Sequence, residues 1–440
     1  MTPAYTFPVA TTTEQFESVP EVAADAERPG RDLVVMKFGG SSVGDTAKIK
    51  DVGRRLVGAR EAGRRVIGVL SAMGDTTDDL IRLAYEISPQ PHPREYDMLV
   101  SVGERISNAL CAMAIRDLGH EAVSLTGSQA GIVTDTVHGK AKIVEVRARR
   151  LHEELDKDRI VLVAGFQGVS TDLEVTTLGR GGSDATAVAL AAALGGACEI
   201  YTDVEGVFTA DPRIVPDALK LPTISYEEML EMAATGARVM MARSIEIARR
   251  YGVPLHVRAA FSDSDGTWIG EEGDLMLEKA IVSGVTHDVS EAKATIVSVP
   301  DSPGIAARVF RALADAGVNI DMIVQNVSAG GTTDISFTLP KTDLAIAKPI
   351  LDNLAVEIGA TSVDLDDAIA KVSLVGAGMK SHPGVAADMF EALADAGINI
   401  EIISTSSIRV SCVVRAADVD EAVRAVHAKF RMYAEERVNA

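Results

Sequence analysis

Thr176-Thr-Leu-Gly-Arg-Gly-Gly-Ser-Asp184 stands directly before the alanine-rich run Ala185–Leu194, so a glycine-rich turn with one arginine leads into an apolar helix. The first turn of a helix leaves backbone N–H groups without intrahelical acceptors, and the aligned peptide dipoles make that end weakly positive. Such a junction suits an anion. Glycines at 179, 181 and 182 allow positive φ and close approach of backbone to ligand, while the planar fork of Arg180 matches a carboxylate or phosphate. Taken alone, the segment also fits a flexible glycine loop.

A second glycine turn argues against that simpler reading. Leu33–Met36 has the character of a short apolar strand, Lys37-Phe-Gly-Gly-Ser-Ser-Val43 follows it, and the polar-apolar pattern of Thr46–Arg60 predicts a helix. Strand, glycine turn and helix in succession form a phosphate cradle. The Gly-Lys-Ser/Thr ending of a P-loop and the Gly-x-Gly-x-x-Gly spacing of a dinucleotide fold are both missing, so a nucleotide would be held by another arrangement.

The chain has 440 residues, room for two or three domains, and a net charge of −20 that argues against nucleic acid or an anionic membrane as partner. Anionic substrates would need cations gathered locally, and Lys37, Arg180 and Arg213 all stand beside turns or glycines. Cys111, Cys198 and Cys412 lie far apart, as expected of buried free thiols in a reducing, cytoplasmic setting. The eight histidines show no metal-ligand spacing, so no protein-held metal site is expected. The apolar run around Ala185–Ala197 is too short to span a bilayer, which predicts a soluble protein.

Residues 1–32, with four prolines, several acids and no apolar signal core, read as a disordered tail. From Leu33 to about Phe261 strand-like runs (Val66–Leu70, Ile160–Ala164, Glu199–Thr202, Val253–Val257) alternate with helical patterns, which predicts a mostly parallel sheet covered by helices on both faces. This catalytic unit is expected to span residues 33–266, with a linker over 267–293.

Beyond it the chain repeats itself. Pro303-Gly-Ile-Ala-Ala-Arg-Val-Phe-Arg-Ala-Leu-Ala-Asp-Ala-Gly-Val-Asn-Ile-Asp321 returns, with six changes, as Pro383–Glu401, offset by 80 residues. Each copy starts its helix after Pro-Gly, stops it at Gly317 or Gly397, and is flanked by strand-like runs. The expected units, 294–369 and 370–440, are ferredoxin-like βαββαβ domains. With no catalytic constellation of their own they read as paired ligand sensors or as a structural duplication.

Taken together, Lys37-Phe-Gly-Gly-Ser-Ser-Val43, Val100-Ser-Val-Gly-Glu-Arg-Ile-Ser107, Thr176–Asp184 and Tyr201-Thr-Asp-Val-Glu-Gly-Val-Phe-Thr-Ala-Asp-Pro-Arg213 resemble aspartokinase, of the amino-acid kinase superfamily. The doubled C-terminal unit resembles its tandem ACT domains, and the whole is most similar to the monofunctional actinobacterial type. The resemblance implies transfer of the ATP γ-phosphoryl group, with Mg²⁺, to the β-carboxylate of L-aspartate. That reaction opens lysine, threonine and methionine biosynthesis.

By the same resemblance, Lys37 contacts the β- and γ-phosphates, Gly39 and Gly40 donate N–H groups to them, and Asp184 orients Lys37. Arg180 clamps the substrate α-carboxylate, Glu104 meets its ammonium, and Ser41, Thr77 and Ser183 complete that pocket. The nucleotide falls to Thr202, Asp203 and the run Phe208, Thr209, Ala210, Asp211, Pro212 and Arg213. Another amino-acid kinase, acting on an N-acylated glutamate or on carbamate, would share the glycine turns but lack the role of Glu104.

Lysine and threonine are the effectors the resemblance implies, at Asp301, Asn319, Asp321, Gln325 and Asn326. Relatives often have Asp-Lys-Pro-Gly-Glu at Asp301-Ser-Pro-Gly-Ile305 and Thr-Ser-Glu-Ile-Arg at Thr405-Ser-Ser-Ile-Arg409, so three charges are replaced here and weakened inhibition is expected. A homo-oligomer through the ACT domains is expected, or an α2β2 assembly if synthesis also starts internally at Met276.

Overall fold

The computed structural model describes residues 32–271, 281–325 and 330–438. The expected tail up to residue 31, Met276 and the candidate effector ligand Asn326 lie outside the described residues.

Successive side chains of a strand face opposite ways, and that alternation builds the catalytic unit. Along Leu33–Phe38, the residues Val34, Met36 and Phe38 pack with the helices Thr46–Glu61 and Val102–Asp117. Leu33 and Val35 face the other way, onto Ala187, Val188, Leu190 and Ala191 of the helix Gly182–Leu194. Lys37 shares that second face, which aims it at the start of the same helix.

The sheet has eight strands in the order Thr223–Ser225, Thr267–Gly270, Leu255–Ala259, Ala197–Thr202, Leu33–Phe38, Arg65–Leu70, Ile160–Ala164 and Ala122–Leu125. Every neighbouring pair is parallel except Leu255–Ala259 with Thr267–Gly270. The strand order reverses at Leu33–Phe38, and a crevice at the carboxyl ends of strands beside such a reversal is where open α/β sheets bind ligands. Helices Pro93–Val100 and Val102–Asp117 together are long and apolar enough to cross a membrane. They instead pack within the domain, where buried Asp97 and Ser107 find their hydrogen-bond partners.

A second, four-stranded sheet, in the order Ile143–Val146, Ile132–Thr134, Gln167–Ser170 and Val175–Thr177, was not anticipated. Its strands are only 3 or 4 residues long, too short to show a period.

The first repeat forms its four-stranded sheet from Ile323–Gln325, Thr332–Pro340, Glu291–Pro300 and Ser362–Asp366, covered by helices Ile305–Asp315 and Leu344–Ile358. Gly304 and Gly384 precede the repeated helices at φ 96° and 109°, and Gly317 and Gly397 follow them at 75° and 72°, all in the left-handed region that favours glycine. The second repeat draws only three strands from its own residues. Its fourth, Gly284–Asp288, comes from ahead of the first repeat and pairs with Ile369–Val375. The expected linker 267–293 is thereby corrected: Thr267–Gly270 belongs to the catalytic sheet and Gly284–Asp288 to the second small one. Both are short runs between turn residues, and only their strand partners distinguish them from a loop.

Candidate active site

Lys37 lies near the carboxyl end of its strand, partly exposed, with Gly39 and Gly40 immediately beyond it. Its Nζ is 2.6 Å from Asp184 Oδ1, in the first turn of Gly182–Leu194. Two turns 147 residues apart are thus joined by one ion pair. A Cβ on Gly39 would lie 3.5 Å from Lys37 Nζ, and one on Gly40 would lie 3.1 Å from the Ala72 carbonyl oxygen. Side chains here would fill the space beside the ammonium.

The residues around the Arg180 loop leave it little room. Gly179 and Gly181 have φ of 76° and 69°, and a Cβ on Gly181 would sit 2.2 Å from Met241 Cγ. Ser183 is set by Gly165, where a Cβ would meet its Oγ at 2.6 Å. Arg180 itself is exposed and makes no ion pair among the described residues.

Two residues not anticipated from the sequence hold this loop. Asp97, fully buried, accepts hydrogen bonds from His138 Nδ1 at 2.7 Å, from Gly139 N at 3.1 Å, and from Thr177 N and Oγ1 at 3.2 and 2.5 Å. Arg243 donates to the carbonyls of Leu178 and Ala141 at 2.9 and 2.8 Å. These groups are separated by 41 to 102 positions along the chain, so no spacing could have revealed them.

Glu104 lies at the start of Val102–Asp117 and is 3% exposed. Gly103 permits this: a Cβ there would be 2.6 Å from Ala72 Cβ, so only glycine lets the helix approach the turn after Arg65–Leu70. Burial pushes the Glu104 carboxyl up to about 7, against the opposing pull of backbone N–H groups that include Ala72. Its Oε2 has no hydrogen-bond partner among the described residues. A buried carboxylate oxygen left unpaired calls for a cation or a donor from a ligand.

Ser41 is exposed and Thr77 half-buried. Thr202 donates to Asp203 at 3.0 Å just past the end of Ala197–Thr202. The run Phe208–Arg213 differs from expectation in its side chains. Thr209 Oγ1 is 2.9 Å from His427 Nε2 of the last helix, Val419–Val438, and accepts from Leu219 N at 3.0 Å. Ala210 is packed in the core of the second repeat with Val282, Val285, Val423 and Val426. Arg213 is paired with Asp211, its Nη2 at 2.7 Å from Oδ2, and this ion pair holds the Asp211 carboxyl below its usual range. The side chains of Thr209 and Ala210 are therefore engaged with the second repeat, Thr209 by its hydrogen bond to His427 and Ala210 by packing in that core.

Of the effector candidates, Asp301, just ahead of the helix Ile305–Asp315, Asn319 and Asp321, after it, and Gln325, on the edge strand Ile323–Gln325, are all exposed. Asp321 is already ion-paired, with Lys371 of the second repeat.

A model of the amino acid kinase family matches residues 32–259, and one of the ACT domain matches 295–353 and 372–430. Fold and site thus define an amino-acid kinase with a regulatory pair of ACT domains. The aspartokinase of Mycolicibacterium smegmatis is 59% identical over 403 residues, covering 90% of this chain and 96% of the relative. E. coli aspartokinase III in complex with aspartate and ADP, in the R-state, superposes with a TM-score of 0.76 at 25% identity, over 90% of this chain and 99% of that one. The same enzyme with lysine and aspartate, in the T-state, gives 0.72 at 26%, over 91% and 99%. The chain belongs to the aspartokinase family, and its activity is that of an aspartate kinase regulated through ACT domains.

Proposed function

We propose that the crevice at the carboxyl ends of the parallel strands binds ATP and L-aspartate side by side, with Lys37 between the reacting groups. A β-carboxylate is ionised at neutral pH, so the nucleophile needs no general base. One of its oxygens attacks the γ-phosphorus, the bond from that phosphorus to the β–γ bridging oxygen breaks, and 4-phospho-L-aspartate and ADP result. The protein's task is to bring two anions together and neutralise charge on the moving phosphoryl group.

The observation that carries this reading is the Lys37–Asp184 pair. It holds an ammonium at a sheet-end glycine turn, the place for a phosphate in transit. Gly39 and Gly40 offer backbone N–H groups beside it, and Thr202, Asp203 and the backbone of Phe208–Arg213 line the nucleotide side. Arg180 takes the substrate α-carboxylate, Glu104, whose Oε2 has no hydrogen-bond partner among the described residues, takes its ammonium, and Ser41, Thr77 and Ser183 close the pocket. No cluster of three or more His, Cys, Asp or Glu side chains that could hold a metal is found among the described residues, so Mg²⁺ would arrive with ATP, held by phosphate oxygens and water.

The chain would act in the cytoplasm at the head of lysine, threonine and methionine synthesis, with lysine or threonine as effectors. The related E. coli structures with aspartate and ADP, and with lysine and aspartate, support both substrate and effector. Assembly as a homo-oligomer through the ACT sheets is supported by their edge strands Ile323–Gln325 and Ile402–Thr405. These expose Ile323 and Ile403 at equivalent places; an internal start at Met276 would make the assembly α2β2. Trapping the acyl phosphate with hydroxylamine across a panel of amino acids tests the assignment. Hydroxamate should form with aspartate, and formation with glutamate or an N-acylated acid instead would overturn it.

A further inference from the structure

The run Phe208–Arg213 lies between the catalytic strands Ala197–Thr202 and Thr223–Ser225, yet it is built into the second ACT domain. Thr209 N donates to the Leu219 carbonyl at 2.9 Å, and the Thr209 carbonyl accepts from Val285 N at 2.7 Å, a residue of the strand Gly284–Asp288. Gly284 must be glycine for this contact, since a Cβ would lie 2.8 Å from the Thr209 carbonyl oxygen. The Thr209 hydroxyl, receiving Leu219 N–H, is held from the other side by the buried His427. Ala210 and Val215 then enter the core formed by Val282, Val285, Val426 and Phe430.

Neighbouring contacts fix the same seam. Glu228 of the catalytic helix Tyr226–Ala234 accepts from Ser283 Oγ and from Ala377 N, Thr235 meets Thr286 hydroxyl to hydroxyl at 2.6 Å, and Glu231 is ion-paired with Arg409 at 3.2 Å. The second domain is thus fastened to two successive catalytic segments, and one of them, Phe208–Arg213, is the run assigned above to the nucleotide.

We infer that His427 is a positioning residue for the nucleotide: by holding the Thr209 hydroxyl it sets the backbone of Phe208–Arg213, so that the second ACT domain forms the outer support of the ATP site. This rests on the reading that Phe208–Arg213 lines that site. A shift of the helix Val419–Val438 would then reach ATP before it reaches aspartate, because Arg180 and Glu104 are held by Arg243, Asp97 and the turn at Ala72, none of which belongs to this seam.

The full-length protein with His427→Ala should show KM for ATP raised about five- to tenfold, the usual size for one buried hydrogen bond. Its kcat and its KM for aspartate should remain within about twofold, a margin too small to represent such a bond. His427→Gln, which keeps a polar group in reach of Thr209, should recover most of the ATP affinity. An unchanged KM for ATP in His427→Ala, or a parallel loss in kcat and both KM values that Gln does not repair, overturns the inference. Hydrogen exchange of the unmodified protein with and without ADP checks the underlying reading separately. Slowed exchange over 207–215 is expected, and none would refute the nucleotide assignment of this segment whatever His427 does.

Discussion

Lys371 of the second repeat, itself fully buried, reaches across to Asp321 of the first and also donates to Glu291 Oε1 at 2.7 Å. The reverse contact exists as well: Lys293 of the first repeat pairs with Glu401, the residue 80 positions after Asp321. Burial alone would lower the Lys371 pKa, but Glu291 and Asp321 hold it above its ordinary value. Each ACT domain thus extends a lysine to the same place on the other, which locks the two sheets in one relative setting.

Lys371→Met should cost about 3 kcal/mol, because it strands Glu291 and Asp321 beside an apolar neighbour rather than removing a self-contained pair. Urea unfolding followed by circular dichroism measures this. Because Asp321 is engaged and Ser302, Ile305 and Ser407 are uncharged, lysine and threonine together should inhibit weakly in the unmodified protein. Titration at saturating ATP and aspartate tests that, and strong cooperative inhibition below millimolar effector would contradict it.

Glu104 should make aspartate binding pH-dependent. Its carboxyl titrates near 7 in the folded protein, yet it must be ionised to meet an ammonium. KM for aspartate should therefore fall as pH rises toward 7 and level off above it. The sign for stability is opposite: the folded state binds this proton more tightly than the unfolded chain, so stability declines from about pH 4.5 to 7. Glu104→Gln should flatten that decline, with a gain of about 2–3 kcal/mol above pH 7, while weakening aspartate binding.

Lys37→Ala should abolish turnover, since the ammonium acts on charge present in the transition state. It also leaves Asp184, 7% exposed, without its partner, so a loss of about 1–3 kcal/mol is expected as well. Adding Asp184→Asn should restore stability but not activity. Thermal melts and the hydroxamate assay separate the two effects, and recovered turnover in the double variant would remove Lys37 from the chemistry.

Arg180→Ala should raise KM for aspartate at least tenfold more than KM for ATP, since a charged hydrogen-bonded pair is worth about 1.5–3 kcal/mol. Because Arg180 is exposed and makes no ion pair among the described residues, the melting temperature should hardly move. Equal effects on both substrates would show that the clamp is elsewhere.

Much of this protein follows from local rules its sequence obeys. The glycine turns after Met36 and Leu178, the alternation along Leu33–Phe38, and the matched Gly304/Gly384 and Gly317/Gly397 stops each depend on a few adjacent residues, so they can be read in order along the chain. The helix Gly182–Leu194 starts three residues earlier than its alanine run suggests, because Gly181 caps it in a left-handed conformation. The convergence of Lys37 with Asp184 was expected only through resemblance to relatives. What tertiary structure alone decided is every contact whose partners are far apart in sequence and have no periodic mark. Asp97 beneath the Arg180 loop, Gly284–Asp288 completing the second repeat's sheet, Thr209 turned toward His427, and Lys371 across from Asp321 are of this kind. Buried hydrogen bonds and ion pairs are satisfied by whatever group the packed core brings near, and the position of that group along the chain does not enter their energy.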